Sequence, residues 1–325
     1  MKILITGGAG YVGSELVPSL IKKNHKITVL DLMIYGDDVL EKSPNLTTYK
    51  GDIRDKDLLK KILPGHDAVI HLACISNDPS YELNPTLGKS INLDAFEPLV
   101  QISKKNKIRR FIYASSSSVY GIKKEKNVHE DMSLEPLTDY SRFKGDCEKI
   151  LLNYRDQDFC PIVLRPATVC GYSRRQRLDV VVNILTNLAY HKRVITVYGG
   201  DQLRPNLHIK DMVRAYEFFL NLSSEKVCGK TYNVGIENYK VSELADFVKD
   251  EIGEDIKIEK KKSDDNRSYH ISSEKIKNEL NFKFEFSIKD AIRDLRLAFE
   301  NKTLKNSLNN EKYFNLKRMK NIDLK

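Results

Sequence analysis

Tyr140 and Lys144 stand four residues apart in Tyr140-Ser141-Arg142-Phe143-Lys144. On a helix, residues at that spacing share one face about a turn apart. An ammonium group beside a phenol stabilises the phenolate, so the spacing predicts a tyrosine whose pKa falls toward the working pH. Such a group exchanges a proton with a substrate hydroxyl, as general base or general acid. Alone, the pair equally describes a surface helical contact, since Phe143, Cys147, Ile150, Leu151 and Tyr154 give the segment an apolar stripe. A second polar set, Ser115-Ser116-Ser117-Ser118, follows the strand-like run Phe111-Ile112-Tyr113-Ala114. Hydroxyls at the carboxyl end of a buried parallel strand face the crevice in which doubly wound sheets hold ligands. For any one of these serines, a turn capping the next segment is an equally simple role.

The chain's first residues supply a third set. Gly7, Gly10 and Gly13 recur every third position after the apolar run Ile3 to Ile5, and Gly8 also opens a G-x-G-x-x-G spacing that contains Ala9, Tyr11 and Val12. A helix follows, with Leu16, Val17, Leu20 and Ile21 on its apolar side. Glycine triplets alone are weak evidence. In a strand–turn–helix they have a physical meaning: positive φ at the turn, a backbone without Cβ against a pyrophosphate, and a helix close to its strand. Free N–H groups at the helix start then receive phosphates. The next strand ends in Asp31, 18 residues beyond Gly13. An acid there accepts both hydroxyl protons of an adenosine ribose and repels a 2′-phosphate, which favours NAD over NADP.

These groups require an alternating scaffold. Strands are predicted at Lys2–Thr6, Lys26–Leu30, Leu46–Lys50, Ala68–Leu72, Arg110–Ala114 and Pro161–Arg165. Helices are predicted near Val12–Lys23, Asp55–Leu63, Leu87–Asn106 and Tyr140–Tyr154, with a kink at Pro18. The alternation predicts an α/β, doubly wound parallel sheet (a Rossmann fold) over residues 1–166. From Ala167 the loops lengthen, and residues 167–325 read as a smaller α/β unit capping the carboxyl edge, with segments near 206–235 returning to the first. Its elements are the strands Val194–Val197, Thr231–Val234 and Ile256–Lys260 and the helices Lys210–Leu222, Val241–Glu251 and Ile288–Phe299. The tail from Asn301 is polar and lysine-rich, and is expected to be partly disordered or laid along the surface.

Composition narrows the classes. With 325 residues and 41% hydrophobic content the chain can bury a sizeable core. A formal charge of +9 raises nucleic acid as a partner, but the lysines are scattered in pairs along helix ends and loops, which describes a solvated surface. That surface attracts an anionic small substrate. Neither a signal peptide nor a membrane span is evident, so a soluble cytoplasmic protein without a membrane partner is expected. The five cysteines are scattered without a C-x-x-C pair, against a disulfide framework or a metal site.

Taken in order, the motifs resemble the extended short-chain dehydrogenase/reductase family, of the kind that acts on nucleotide-diphosphate sugars. The glycine turn, Asp31, Asp52-Ile53, His71-Leu72-Ala73, the serine run, Tyr140-x-x-x-Lys144, Leu164-Arg165-Pro166 and the stretch Gly199 to Asp211 occur in the family's order. The similarity reaches to about Phe299. Each motif is weak singly; the ordered set is specific.

The resemblance implies NAD as cofactor and three catalytic residues. Ser116 would hydrogen-bond the reacting sugar oxygen, and Tyr140 would take the hydroxyl proton while hydride passes to the nicotinamide. Lys144 would hold the nicotinamide ribose. Asp52 and Ile53 would meet the adenine, and Leu72, Ala73, Cys74, Ala114 and Pro166 would line the cofactor with the glycine turn. Asn92 resembles the family's asparagine under the active site, and is carried as cofactor-binding or structural. On the substrate side stand Ser76, Ser116, Ser117 and Thr168, with Arg204 and Arg267 matching diphosphate-binding arginines; guanidinium groups fit phosphate oxygens in two-pronged pairs. The family also implies a homodimer through the helices near Leu87–Asn106 and Tyr140–Tyr154.

Departures sharpen the reading. Where 4,6-dehydratases of this family carry Asp-Glu after the catalytic hydroxyl, this chain has Ser117-Ser118, and Pro205 replaces an aspartate after the substrate arginine. An NAD-dependent epimerase acting at C4 through a transient ketone is therefore expected. A sugar 4-dehydrogenase or 4-keto reductase is the alternative, and a non-catalytic NAD-binding regulator or a 4,6-dehydratase ranks below both.

Overall fold

The computed structural model describes residues 1–263, 268–322 and 324. Its strands are β1 (Lys2–Thr6), β2 (Lys26–Asp31), β3 (Leu46–Lys50), β4 (Ala68–His71), β5 (Arg110–Ala114) and β6 (Cys160–Pro166), followed by β7 (Thr168–Cys170), β8 (Val194–Tyr198), β9 (Leu203–His208), β10 (Lys230–Val234), β11 (Glu237–Lys240) and β12 (Lys257–Lys261). Seven of them form one sheet in the order β10-β6-β5-β4-β1-β2-β3, with every neighbouring pair parallel. The chain runs outward from β1 to β3, then crosses back to β4. The crevice of a doubly wound sheet opens where the order reverses, at the carboxyl ends of β1 and β4.

The central strands β1, β4, β5 and β6 are buried on both faces, which is why they read as near-continuous apolar runs, whereas the edge strand β3 is largely exposed. Along β4 and β5, Ala68, Ile70 and Ile112 join one core cluster while Val69, Phe111 and Tyr113 join the other. The helices that matter to the site are α1 (Gly13–Lys22), α2 (Phe96–Lys105), α3 (Asp139–Asn153), α4 (Val181–Lys192), α5 (Ile209–Asn221), α6 (Val241–Ile252), α7 (Ile288–Glu300) and α8 (Asn315–Ile322). Pro18 lies within α1, which continues past it to Lys22.

Two expectations need correction. The helix read as Leu87–Asn106 is three pieces: a short helix Pro85–Lys89, a π turn Ser90–Asp94, and α2. The apolar spacing persists through all three, so periodicity does not reveal the extra residue that a π turn inserts. The tail is also ordered over its described residues. A short turn Glu311–Tyr313 and α8 fold back onto the cleft, with Leu178 N–H donating to the Tyr313 carbonyl at 2.8 Å.

Beyond β6, a three-stranded sheet (β11-β9-β7) and a two-stranded parallel pair (β12-β8) stand apart from the main sheet. Helices α4, α6 and α7 share a separate apolar cluster with β8, including Val182, Leu185, Ile195, Leu244, Val248 and Ile292. Between them, α5 lies against α1, with Glu217 accepting from Lys23 at 2.6 Å. No described helix is long and apolar enough to cross a membrane.

Candidate active site

The glycine turn leaves β1 with Gly7 at φ +74°, a conformation that favours glycine. A Cβ at Gly7 would lie 2.5 Å from the Ala73 nitrogen, and one at Gly13 would lie 2.5 Å from the Gly8 carbonyl. The turn therefore packs against the loop after β4, and the start of α1 packs against the turn. Asp31 ends β2 and accepts from Ala9 N–H at 2.9 Å and Met33 N–H at 2.8 Å. Its burial raises the carboxyl pKa above the ordinary range, while those two backbone donors oppose the shift.

A cleft of about 550 Å³ opens at this edge, within the usual range for a small-molecule site. Gly7, Gly10, Tyr11, Val12, Gly13 and Asp31 line it, as do Asp52, Ile53, Leu72, Ala73, Cys74, Ala114 and Pro166. Ser76, Ser116, Ser117, Tyr140, Lys144, Thr168 and Arg204 complete the same lining. Asp52 is held by Arg54 at 2.6 Å. Arg267 lies outside the described residues.

Asn92 is the exception. It sits beneath the cleft, outside the lining, where its amide accepts from Ile75 N–H at 2.8 Å and donates to the Ile75 carbonyl at 3.0 Å. It pins the loop that carries Cys74 and Ser76, and the π turn is the segment that presents it. Of the two roles carried for Asn92, its contacts with Ile75 are those of the structural one.

The serine run begins where β5 ends. Ser116 caps a short 3-10 turn, accepting from Ser118 N–H at 3.1 Å, and its Oγ lies 2.8 Å from Ser118 Oγ. Tyr140 enters from the first turn of α3, near enough to Ser116 for that hydroxyl to lower its pKa against the effect of burial. Thr138 caps α3, and its Oγ1 donates to Asp78 Oδ1 at 2.7 Å. Lys144 is buried one turn further on, donating to the Ala114 carbonyl at 2.6 Å with its Nζ 5.9 Å from the Tyr140 ring centre.

The expected fall in the Tyr140 pKa is not what this arrangement gives. Burial dominates and holds the phenol above its ordinary value; the Arg177 charge and the Ser116 hydrogen bond oppose that shift. Lys144 instead donates to the Ala114 carbonyl. A buried network fixes the strand ends behind these groups. Ser115 donates to Glu148, Glu148 pairs with Arg165 at 2.6 Å, and Arg165 donates to the Tyr120 hydroxyl at 2.7 Å.

Among the lining residues not predicted as site residues are Tyr35, Arg175, Arg177 and Asn315. The basic run Arg174-Arg175-Gln176-Arg177 was visible in the sequence, but nothing local shows that it turns inward. Tyr35 and Asn315 carry no local signal.

A glycine cradle that any Cβ would fill, an acid at the end of β2, and a Ser-Tyr-Lys set at the rim fit NAD and define an enzyme of the short-chain dehydrogenase type. The model of the NAD dependent epimerase/dehydratase family matches residues 3–235. The chain belongs to that family, and NAD is its cofactor. It is 33% identical over 266 residues to a Bacillus subtilis (strain 168) protein named as an uncharacterized UDP-glucose epimerase, covering 77% of this chain and 82% of that one. It is 31% identical over 267 residues to a dTDP-D-glucose 4,6-dehydratase of Dictyostelium discoideum, spanning 75% of this chain but 60% of that longer protein. Among solved structures, UDP-glucose 4-epimerase from Thermotoga maritima with UDP-glucose superposes at a TM-score of 0.83 and 25% identity, over 94% of this chain and 100% of that one.

Proposed function

We propose that the chain epimerises a nucleotide-diphosphate sugar, at C4, through a transient 4-keto intermediate. One observation carries this reading. Ser116, Tyr140 and Lys144 meet at the rim of the NAD cleft, while Ser117 and Ser118 occupy the positions where a dehydratase needs its two acids. The other carboxylates among the described lining residues are committed. Asp31 and Asp52 lie on the adenosine side, Asp78 accepts from Thr138, and Asp179 pairs with Arg177 at 2.6 Å. This supports redox at one carbon without elimination of water.

In this mechanism Ser116 holds the reacting sugar oxygen and Tyr140 takes, then returns, its proton. Lys144 positions the nicotinamide ribose and Arg204 pairs with the substrate diphosphate. NAD supplies the reversible acceptance of a hydride. The 4-keto sugar would turn over in the site and present its other face before Tyr140 gives the proton back. Product formed in deuterated water is expected to carry no carbon-bound deuterium, with no net absorbance of reduced nicotinamide. Deuterium on carbon would point to enolisation, and a net absorbance change to a 4-dehydrogenase or 4-keto reductase; either would overturn the proposal. Tyr140→Phe should lower turnover by roughly 10²- to 10⁴-fold, the usual worth of a general acid–base group, while NAD stays bound at full stoichiometry.

A homodimer and a cytoplasmic setting belong to the same reading. Five unbridged cysteines support the second. For the first, Leu99, Val100, Cys147 and Leu151 are already used as the chain's own core, so pairing would have to use the outer faces of α2 and α3. Light scattering of the eluting peak tests it, and a monomer mass would exclude the dimer.

A further inference from the structure

We propose that Arg175 binds the pyrophosphate of NAD together with the glycine turn, so that the cofactor is gripped between the start of α1 and the loop of residues 171–179. Arg175 is 4% exposed, and among the described residues no carboxylate lies within ion-pair distance of it. The other buried guanidinium groups nearby do have acids, Arg165 with Glu148 and Arg177 with Asp179. The direct contacts of Arg175 are neutral, although the charges of Arg177, Asp179 and Asp31 reach it from further off. Its Nη2 donates to Asn315 Oδ1 at 2.5 Å, and its Cζ stands 3.3 Å from the centre of the Tyr35 ring. Its Nε is buried with no hydrogen-bond partner. A buried cation without a counter-ion is costly, and an unmade hydrogen bond adds to that cost. An anion in the cleft removes both penalties.

The surroundings say which anion. Arg175 lines the same cleft as Gly10, Val12, Gly13 and Asp31. Its backbone N–H donates to Ser14 Oγ at 3.1 Å, in the first turn of the phosphate-receiving helix. The rest of the loop is fastened to that turn as well. Ser173 Oγ donates to the Tyr11 carbonyl at 2.7 Å, the Tyr11 hydroxyl donates to the Gly171 carbonyl at 2.7 Å, and Arg174 N–H donates to Glu15 at 3.0 Å. No side chain caps the start of α1, and the residues that lead into it, Gly10 to Gly13, line the same cleft as Arg175. A pyrophosphate supplies charge to both, and guanidinium groups pair with phosphate oxygens in two-pronged fashion.

Asn315 is then a positioning residue. It comes from α8, its side-chain amide also donates to Ser76 Oγ at 2.8 Å, and its backbone N–H donates to Asp179 Oδ2 at 2.9 Å.

The test separates the phosphates from the nucleoside and does not depend on the reaction catalysed. Full-length chain freed of nucleotide is titrated calorimetrically with ADP, with adenosine and with UDP. Arg175→Gln is expected to weaken ADP roughly ten- to hundredfold, the worth of hydrogen bonds to a charged group, while adenosine stays within about twofold by the same conversion. Arg175→Lys should recover part of the loss. Asn315→Ala should lower the ADP-to-adenosine preference in the same direction by a smaller factor, with adenosine again unchanged. An unaltered preference in Arg175→Gln overturns the proposal, as does a loss confined to UDP, which would put Arg175 on the substrate side. If Arg175→Gln binds neither ligand, Asn315→Ala decides, and an unaltered preference there overturns it.

Discussion

His71 ends β4 directly under the cleft, with Nδ1 2.6 Å from Thr6 Oγ1. Burial, then the charge of Lys144, pushes its pKa from the ordinary 6.5 down to about 3. The imidazole is neutral in the folded chain, whereas in the unfolded chain it takes a proton below pH 6.5. Because the unfolded state binds more protons between these values, acid shifts the balance toward unfolding. The contribution is fully present above about pH 6.5 and is lost as the pH falls toward 3. Urea midpoints measured across that window should fall with pH, and His71→Asn should flatten the slope. The sequence placed His71, Ser116, Tyr140 and Lys144 correctly in a single region, because each follows a strand or opens a helix that periodicity identifies. It could not give their charge states. Those depend on depth and on the direction in which Lys144 points, which are tertiary facts.

Elements hold these groups through polar bonds as much as through apolar packing. Glu148 on α3 and Arg165 on β6 form an ion pair with side chains 3% and 6% exposed. Tyr120 extends the network to Asn233 on β10 at 2.7 Å. Removing one partner of a buried pair strands the other charge, so Glu148→Ala should cost about 3–5 kcal/mol, read as a lower thermal midpoint. Its effect should exceed that of breaking an exposed pair such as Lys60–Asp57, which solvent screens. The limits of the strands that were predicted agree with the structure to within about a residue, whereas β7, β9 and β11, a short and partly polar sheet outside the main one, went unread. The segment 85–105 was not legible as three pieces, because one additional residue in a π turn leaves the apolar spacing nearly intact. Asn92 marks the place: a polar residue inside an apolar run, turned inward to hold Ile75.

At the scale of the molecule, three distant segments close one cleft. Arg318 Nε on α8 donates to the Ile34 carbonyl at 2.5 Å, Asn315 reaches Ser76 and Arg175, and Met319 and Leu324 complete the lining. Deleting residues 311–325 should release NAD severalfold faster, at a few kcal/mol or less for the few hydrogen bonds lost, and shrink the thermal stabilisation that NAD confers; dilution with nucleotide fluorescence follows it. Composition gave the tail no helix because its stabilising partners lie some 140 to 280 residues away in sequence. The same long reach governs how the main sheet is finished. Strand β10 pairs Lys230 with Ile162 of β6, so the chain builds the whole β7–β9 region before the edge is covered. Until then β6 offers an unpaired row of backbone groups, open to another copy of the chain. Closing so long a loop is slow compared with local contacts. Refolding yield should therefore fall with protein concentration, and the last strand of the cofactor sheet sets the interval during which the chain is at risk.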